Sequence, residues 1–465
     1  MATQFHCPSF GRQTHPHQKS YANTIGTKNL PQHSTYTHIA NIDNQSGIQP
    51  IQNITRFWLC LVATFTLLIL LPTTNLSTLN AQPPEFHTTT VDTTNTEPPN
   101  PYDQLGQLIE SSISEAEPLV FNDAFDKAQM LDKILAFVVQ QSDSRIEINK
   151  NQLLKDFSDN FNIGEQVIQW MGIDGFYDFI TYHKQNNKNY LLFRLYAKNG
   201  NVNYHDFELG NQTDTLKITD IYIYAAGDFI TNIMGQIFLP LITTDDTPIQ
   251  NNQPSKRQIF LSAINTLETV KQCAATGDYQ QAVRQFELIP QEYQKQKKFQ
   301  LTLLAFADKI SPQYYQNAID NYEKQYTNDP SLPLILLDKL FLQKNYTATL
   351  QCIDKLSEKV FNDPFLNFQR ANIYWAMADT ANAIKTAQIL VDSIPDFIDG
   401  HLSLLIYAIE ARKYNIAIAE MQTMVEWFAY DKPAIEQMLT NEFPDFVQSD
   451  TFQKWQPIQN QSDEH

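Results

Sequence analysis

The spacing of apolar positions changes character several times along the chain. Phe57 to Leu71 (FWLCLVATFTLLILL) is a long apolar run of 15 residues, interrupted only by Thr64 and Thr66. From Leu105 to Val139 the apolar positions recur at helical intervals, with Phe125, Met130, Leu131, Ile134, Leu135 and Val138 on one stripe. Leu153 to Met171 repeats that pattern, and Gly172 suits the end of a helix.

Next come four short aromatic and β-branched segments, Phe176–His183, Tyr190–Lys198, Val202–Leu209 and Leu216–Tyr224, which predict strands. Asn199-Gly200 between the second and third predicts a tight hairpin turn. The fourth segment, LKITDIYIY, alternates. Ile218, Asp220, Tyr222 and Tyr224 are expected on one face, and Thr219, Ile221 and Ile223 on the other. Such close spacing requires antiparallel pairing, because a parallel crossover needs about a dozen residues or more. Phe229–Leu239 returns to a helix-like run. The expected fold of 105–242 is therefore α+β, a four-stranded antiparallel meander with helices on one face. In element order, and in NGNVNYHDFELG and LKITDIYIYAAGD, this region resembles cystatin-like and nuclear-transport-factor-2-like cone folds. It is also similar in that stretch to exported bacterial proteins.

After Lys256 the pattern is helical nearly to the end, and it repeats. Tyr279/Ala282, Tyr315/Ala318, Tyr346/Thr349, Thr380/Ala383 and Tyr414/Ala417 each pair an anchor with a small residue three positions on, at spacings of 36, 31, 34 and 34. The clearest unit is RANIYWAMADTANAIKTAQILVDSIP. Ala371, Tyr374, Asp379, Ala383 and Pro395 fall in it at the small, aromatic, turn, small and proline places of a tetratricopeptide repeat. The region 257–430 resembles that family, although the early Trp is replaced by nearby Phe365 and Phe368 and the middle units match poorly. The resemblance implies an all-α stack of helix pairs, each burying its apolar face against the next. Phe443, Phe446, Phe452 and Trp455 are expected to form a C-terminal cap.

The run at 57–71 follows Arg56 and precedes Leu79-Asn80-Ala81, which is the order of a secretory signal. Fifteen residues are short for a membrane span, which needs about 20. Cleavage near Ala81, leaving a secreted or periplasmic protein, is the expectation, with a single-pass anchor as the alternative. The domain organisation then reads as 1–56 an extension or early start, 57–81 the signal, and 82–104 a Thr/Pro-rich linker. The α+β domain at 105–242, a linker at 243–256, the repeats and cap at 257–456 and a tail at 457–465 follow.

Composition narrows the function classes. The net charge is −18, the wrong sign for a broad nucleic-acid surface. Cys7, Cys60, Cys273 and Cys352 lack CxxC spacing and no His cluster accompanies them, so a zinc site is not expected, and Cys273 and Cys352 sit two repeats apart, too far for an expected bridge. Cys273 and Cys352 are read as buried free thiols. No phosphate loop, nucleophile elbow, HExxH or dinucleotide fingerprint occurs. His183, His205, Asp206 and Tyr204 lie on expected strands, but adjacent His205 and Asp206 must point to opposite faces. No catalytic residue, cofactor or metal is assigned.

The repeat resemblance implies a groove lined by the first helix of each pair. Its candidates are Phe365, Phe368, Asn372 and Trp375 in the fourth unit, and Asp399, Leu402, Ile406, Ile409 and Glu410 in the fifth. Asn372 matches a place that contacts peptide backbone in some relatives, whereas the lysines of the carboxylate-binding relatives are missing. The same aromatics could instead form core or dock the chain's own middle domain. The expected function is an exported, non-catalytic scaffold holding a protein or peptide partner. The alternative is a small-molecule binder or weak enzyme centred on the α+β domain. Membrane contact is expected only through an uncleaved anchor.

Overall fold

A computed structural model describes residues 100–141, 149–172, 175–197, 200–210, 216–242, 254, 256–327 and 329–456. The signal run, Ala81, nearly all of the two linkers, Asn199 and the tail lie outside the described residues.

The first helical pattern divides into α1 (Pro101–Ser114), α2 (Pro118–Asp123) and α3 (Lys127–Gln141). Ala116 turns the chain at φ 56°, and Pro118 then occupies the first turn of α2, where its missing N–H costs nothing. The second pattern likewise divides, into α4 (Lys150–Asp159) and α5 (Ile163–Met171), and Gly172 ends α5 at φ 66° as expected. Periodicity carried across both breaks because the apolar stripe resumes in phase on the same core.

The sheet runs β1 (Phe176–Gln185), β2 (Lys188–Tyr196), β3 (Val202–Leu209), β4 (Ile218–Ile223) and β5 (Asp228–Phe229), antiparallel and in sequence order. The expected four-strand meander thus gains a two-residue fifth strand before α6 (Ile230–Ile242). Asn186 and Asn187, at φ 48° and 63°, make the β1–β2 hairpin. One face of the sheet packs on α1–α6 around Ile109, Ile134, Phe193, Phe207, Ile221 and Met234. Ile218 belongs to this face too, against the alternation expected from sequence. The β3–β4 register shifts between Glu208 and Leu209, and that irregularity turns Ile218 to the helix side while Tyr222 and Tyr224 stay opposite; Asp220 is held instead by Thr231 of α6 and Lys133 of α3.

Five helix pairs follow. They are α7 (Lys256–Ala275) with α8 (Tyr279–Glu287), then, after the single-turn α9 (Gln291–Gln294), α10 (Lys297–Ile310) with α11 (Pro312–Gln325). The next are α12 (Leu332–Leu342) with α13 (Tyr346–Lys359), α14 (Leu366–Ala376) with α15 (Thr380–Ser393), and α16 (Ile398–Glu410) with α17 (Tyr414–Phe428). Four of the five anchors, Tyr279, Tyr346, Thr380 and Tyr414, are the first residue of a second helix. Before each stands a left-handed residue two positions earlier, Gly277, Lys344, Ala378 or Arg412. Asp278, Asn345 and Asp379 then cap the helix by accepting from a backbone N–H in its first turn. The small residue three on, Ala282, Thr349, Ala383 or Ala417, is buried between helices.

Tyr315/Ala318 departs from this pattern. Ser311 caps α11 and Pro312 starts it, so Tyr315 is its fourth residue and Ile319 takes the buried place. This shift accounts for the spacings of 36 and 31. The chain closes with α18 (Lys432–Thr440), α19 (Pro444–Val447) and α20 (Asp450–Lys454). Phe446, Phe452 and Trp455 pack there against the last pair.

Candidate functional site

The second face of the sheet is not open. Its side chains meet the array along a seam, with Leu192, Tyr204 and Tyr224 packed among Ile353, Leu356 and Val360 between the polar attachments that follow. Arg194 stands on β2 among apolar neighbours, in the run YLLFRLY, and is almost wholly buried. One terminal guanidinium nitrogen donates to Asp363 Oδ1 at 2.5 Å and the other donates to Asp178 of β1. Tyr204 Oη donates to Asp363 Oδ2 at 2.8 Å, and the Phe365 N–H donates to Asp363 Oδ1 at 3.1 Å. The guanidinium also lies over the rings of Phe365 (4.6 Å) and Phe176 (5.2 Å). A buried charge pair is tolerated only when both partners are well bonded, and here Asp363 has three donors.

The second attachment is at the other end of the sheet. Lys297 at the start of α10 donates to the Gly227 carbonyl and to Asp329, which also accepts from Tyr222 Oη at 2.9 Å. Gly227 has φ 61°, and a Cβ there would come within 2.6 Å of Ser331 Oγ, so the approach itself requires glycine. Burial would raise the Asp329 carboxyl, but the bonds from Lys297 and Ser331 outweigh it and hold it below its usual range. Third, Tyr196 stacks on Phe176 and packs with Phe365 and Phe397, and its hydroxyl reaches Asp399 of α16 at 3.3 Å.

The groove candidates therefore divide. Phe365 is fully buried in the seam, and Phe368 is half-buried against Phe365 and Phe397. Neither lines an open groove, because the chain's own sheet lies against this end of α14. Further along, Trp375 stacks on Tyr407 of α16 at 4.5 Å, and Asn372 Oδ1 accepts from Tyr407 Oη at 2.5 Å. Ile406 and Ile409 are buried and Leu402 is half-buried. Glu410 is exposed at the end of α16, and partial burial raises its carboxyl. Asn372 and Trp375 both meet Tyr407, and Glu410 follows Tyr407 by three residues at the end of α16.

The strand histidines have separate surroundings. His205 is enclosed on the helix side by Tyr177 Oη (3.0 Å) and Asn203 (3.1 Å), and burial pushes its imidazole down to about 3. Asp206 points the other way, as expected. It pairs with His183 Nε2 at 2.8 Å, and its carboxyl is raised by burial against the pull of His183. That pair was not foreseen, since the two residues lie on β1 and β3 with β2 between them. The His183 ring stacks on Tyr190 and meets Phe361 at 4.5 Å. Nearby, Lys133 and Lys188 both donate to Glu208. Among the described residues no group of three or more His, Cys, Asp or Glu is placed to hold a metal.

Cys273 and Cys352 are free. Cys352 is buried, donates to the Pro333 carbonyl at 3.1 Å, and its thiol is pushed up to about 11 by burial. Cys273 is only half-buried. Sequence reasoning also missed Arg194 and Asp363. A signal was present, because a lone arginine inside an apolar strand run must find a buried carboxylate or leave the strand. Its partner, 169 residues away, carries no such mark.

No protein-family model matches the chain, and no curated protein or solved structure matches it. Among the described residues no helix is long and apolar enough to cross a membrane.

Proposed function

We propose that this protein is an exported, non-catalytic scaffold whose tetratricopeptide-like helix pairs hold a protein or peptide partner. One observation carries the reading: five consecutive helix pairs, four with the same left-handed turn and buried small residue at the second helix. Stacked pairs of this kind expose a continuous first-helix surface suited to extended ligands. The partner surface is the part beyond the seam, around Asn372, Trp375 and Glu410, with Phe365 and Phe368 serving as internal anchors. Export rests on the apolar run at 57–71 and the small residue Ala81. N-terminal sequencing of the protein from its host should begin near Gln82, whereas a retained run in the membrane fraction overturns export by cleavage.

Binding is tested with Trp375→Ala and Glu410→Lys baits beside the wild type, on extracts of the host envelope. The proposal expects a partner recovered by wild type and lost by both variants while their melting temperatures stay close to wild type. Equal recovery by all three refutes the surface.

A further inference from the structure

His401 stands in the first turn of α16, and both it and Glu420 of α17 are buried. Nδ1 of the ring lies 2.7 Å from Glu420 Oε2, and Nε2 lies 2.9 Å from the Pro395 carbonyl oxygen in the α15–α16 turn. The Phe428 ring of α17 covers the imidazole at 5.3 Å. A carbonyl oxygen only accepts, and so does an ionised carboxylate. A neutral imidazole has one N–H to give, yet both of its nitrogens face an acceptor. The pair therefore holds one proton more than a neutral ring and a carboxylate, either on the second ring nitrogen or on Glu420. With that proton its net charge is zero, and without it a buried negative charge remains. Glu420 is the charged group bonded to the ring. Of the other charged groups on α15, its turn, α16 and α17, Lys385, Asp392, Asp396, Glu410 and Glu426 are exposed, and Asp399 accepts from Tyr196.

We propose that the His401–Glu420 pair is a proton-held clasp on the third attachment of the seam: with one shared proton it ties the α15–α16 turn to α17, and loss of that proton frees the turn that presses Phe397 onto the sheet. Phe397 ends this turn and packs with Phe365 and Tyr196. Without the shared proton, the remaining N–H stays on Nδ1, where its bond to the carboxylate is charge-assisted. The Nε2 lone pair then faces the Pro395 oxygen, and two acceptors 2.9 Å apart repel, so the turn draws back. The sign follows from linkage. In the opened turn the ring meets water, and a solvated imidazole gives up its second proton above about pH 6.5, whereas the closed clasp requires that proton. Opening releases one proton and becomes easier as pH rises above about 6.5, by up to about tenfold per pH unit.

Hydrogen exchange on the full chain, expressed as protection factors to remove the intrinsic pH dependence, reads this directly. The amides of Phe397, Gly400 and His401 bond within the turn and the start of α16. In wild type they should lose protection by up to about tenfold per unit above about pH 6.5, with α7 and α8 as an unaffected reference. Glu420→Gln supplies an amide N–H in place of the shared proton. Gln can donate to Nδ1 while Nε2–H keeps its bond to Pro395, so this variant should stay protected at every pH. His401→Gln takes up no proton, and its profile should also be flat, at whatever level of protection it retains. A flat profile in wild type overturns the clasp. So does the wild-type slope persisting in Glu420→Gln or His401→Gln, or a loss of protection shared equally by α7 and α8.

Discussion

Replacing Arg194 by Met keeps most of the side-chain volume and removes the charge. Asp363, with no side-chain exposure, would then hold an uncompensated carboxylate inside the seam. Tyr204 and the Phe365 N–H would still donate to it, but neither carries a charge. Removing one partner of a buried pair costs about 3–5 kcal/mol. Asp178 also loses its partner, but its side chain is 30% exposed and water can replace the bond at small cost. Arg194→Met should therefore lower stability by about 3–5 kcal/mol, and Asp363→Leu by a similar amount. In the double variant the orphaned charge is gone, so its loss should be well below the sum of the two singles. A coupling of ~2 kcal/mol or more is expected between them. Urea unfolding of the four proteins measures all the terms, with intrinsic fluorescence as the readout. A cost under ~1 kcal/mol for Arg194→Met, or additive singles, would refute the claim that the pair holds sheet and array together.

Phe365→Ala should cost about 3–5 kcal/mol of stability because its ring fills the seam, whereas Trp375→Ala should cost much less, read by thermal unfolding. Buried His205 resists protonation down to about 3 while the unfolded chain takes up its proton near 6.5. Its contribution is complete above pH 6.5 and should fall by about 1.4 kcal/mol per unit as pH drops toward 3. His205→Gln should flatten that part of the stability–pH curve, and an unchanged slope would contradict the assignment. Asn187 holds φ 63° in the β1–β2 turn, so Asn187→Gly should be neutral or raise stability by up to ~1 kcal/mol, measured by urea midpoint.

Local pattern alone determined the element types. Alternation and turn residues placed β1–β4 to within a few residues, because a strand's period and a hairpin's turn are set by neighbours along the chain. Four repeat anchors were legible for the same reason. A capped turn followed by a buried small residue leaves a mark at fixed spacing. Where Ser311-Pro312 shifted the helix start, that mark misled. The breaks at Ala116 and Asn160 were hidden because an apolar stripe can continue in phase across a turn.

The tertiary structure decided which faces are free. Alternation showed that the sheet has two faces, but nothing along the chain said that the second would lie against the array. That contact depends on Arg194 meeting Asp363 and Lys297 reaching Gly227, pairs separated by 169 and 70 residues. Phe365 and Trp375 have the same helical credentials in sequence, yet one is an internal anchor and the other stands at a part-open surface. Burial of a ring depends on what packs over it, and here the covering strand lies nearly two hundred residues away in the chain.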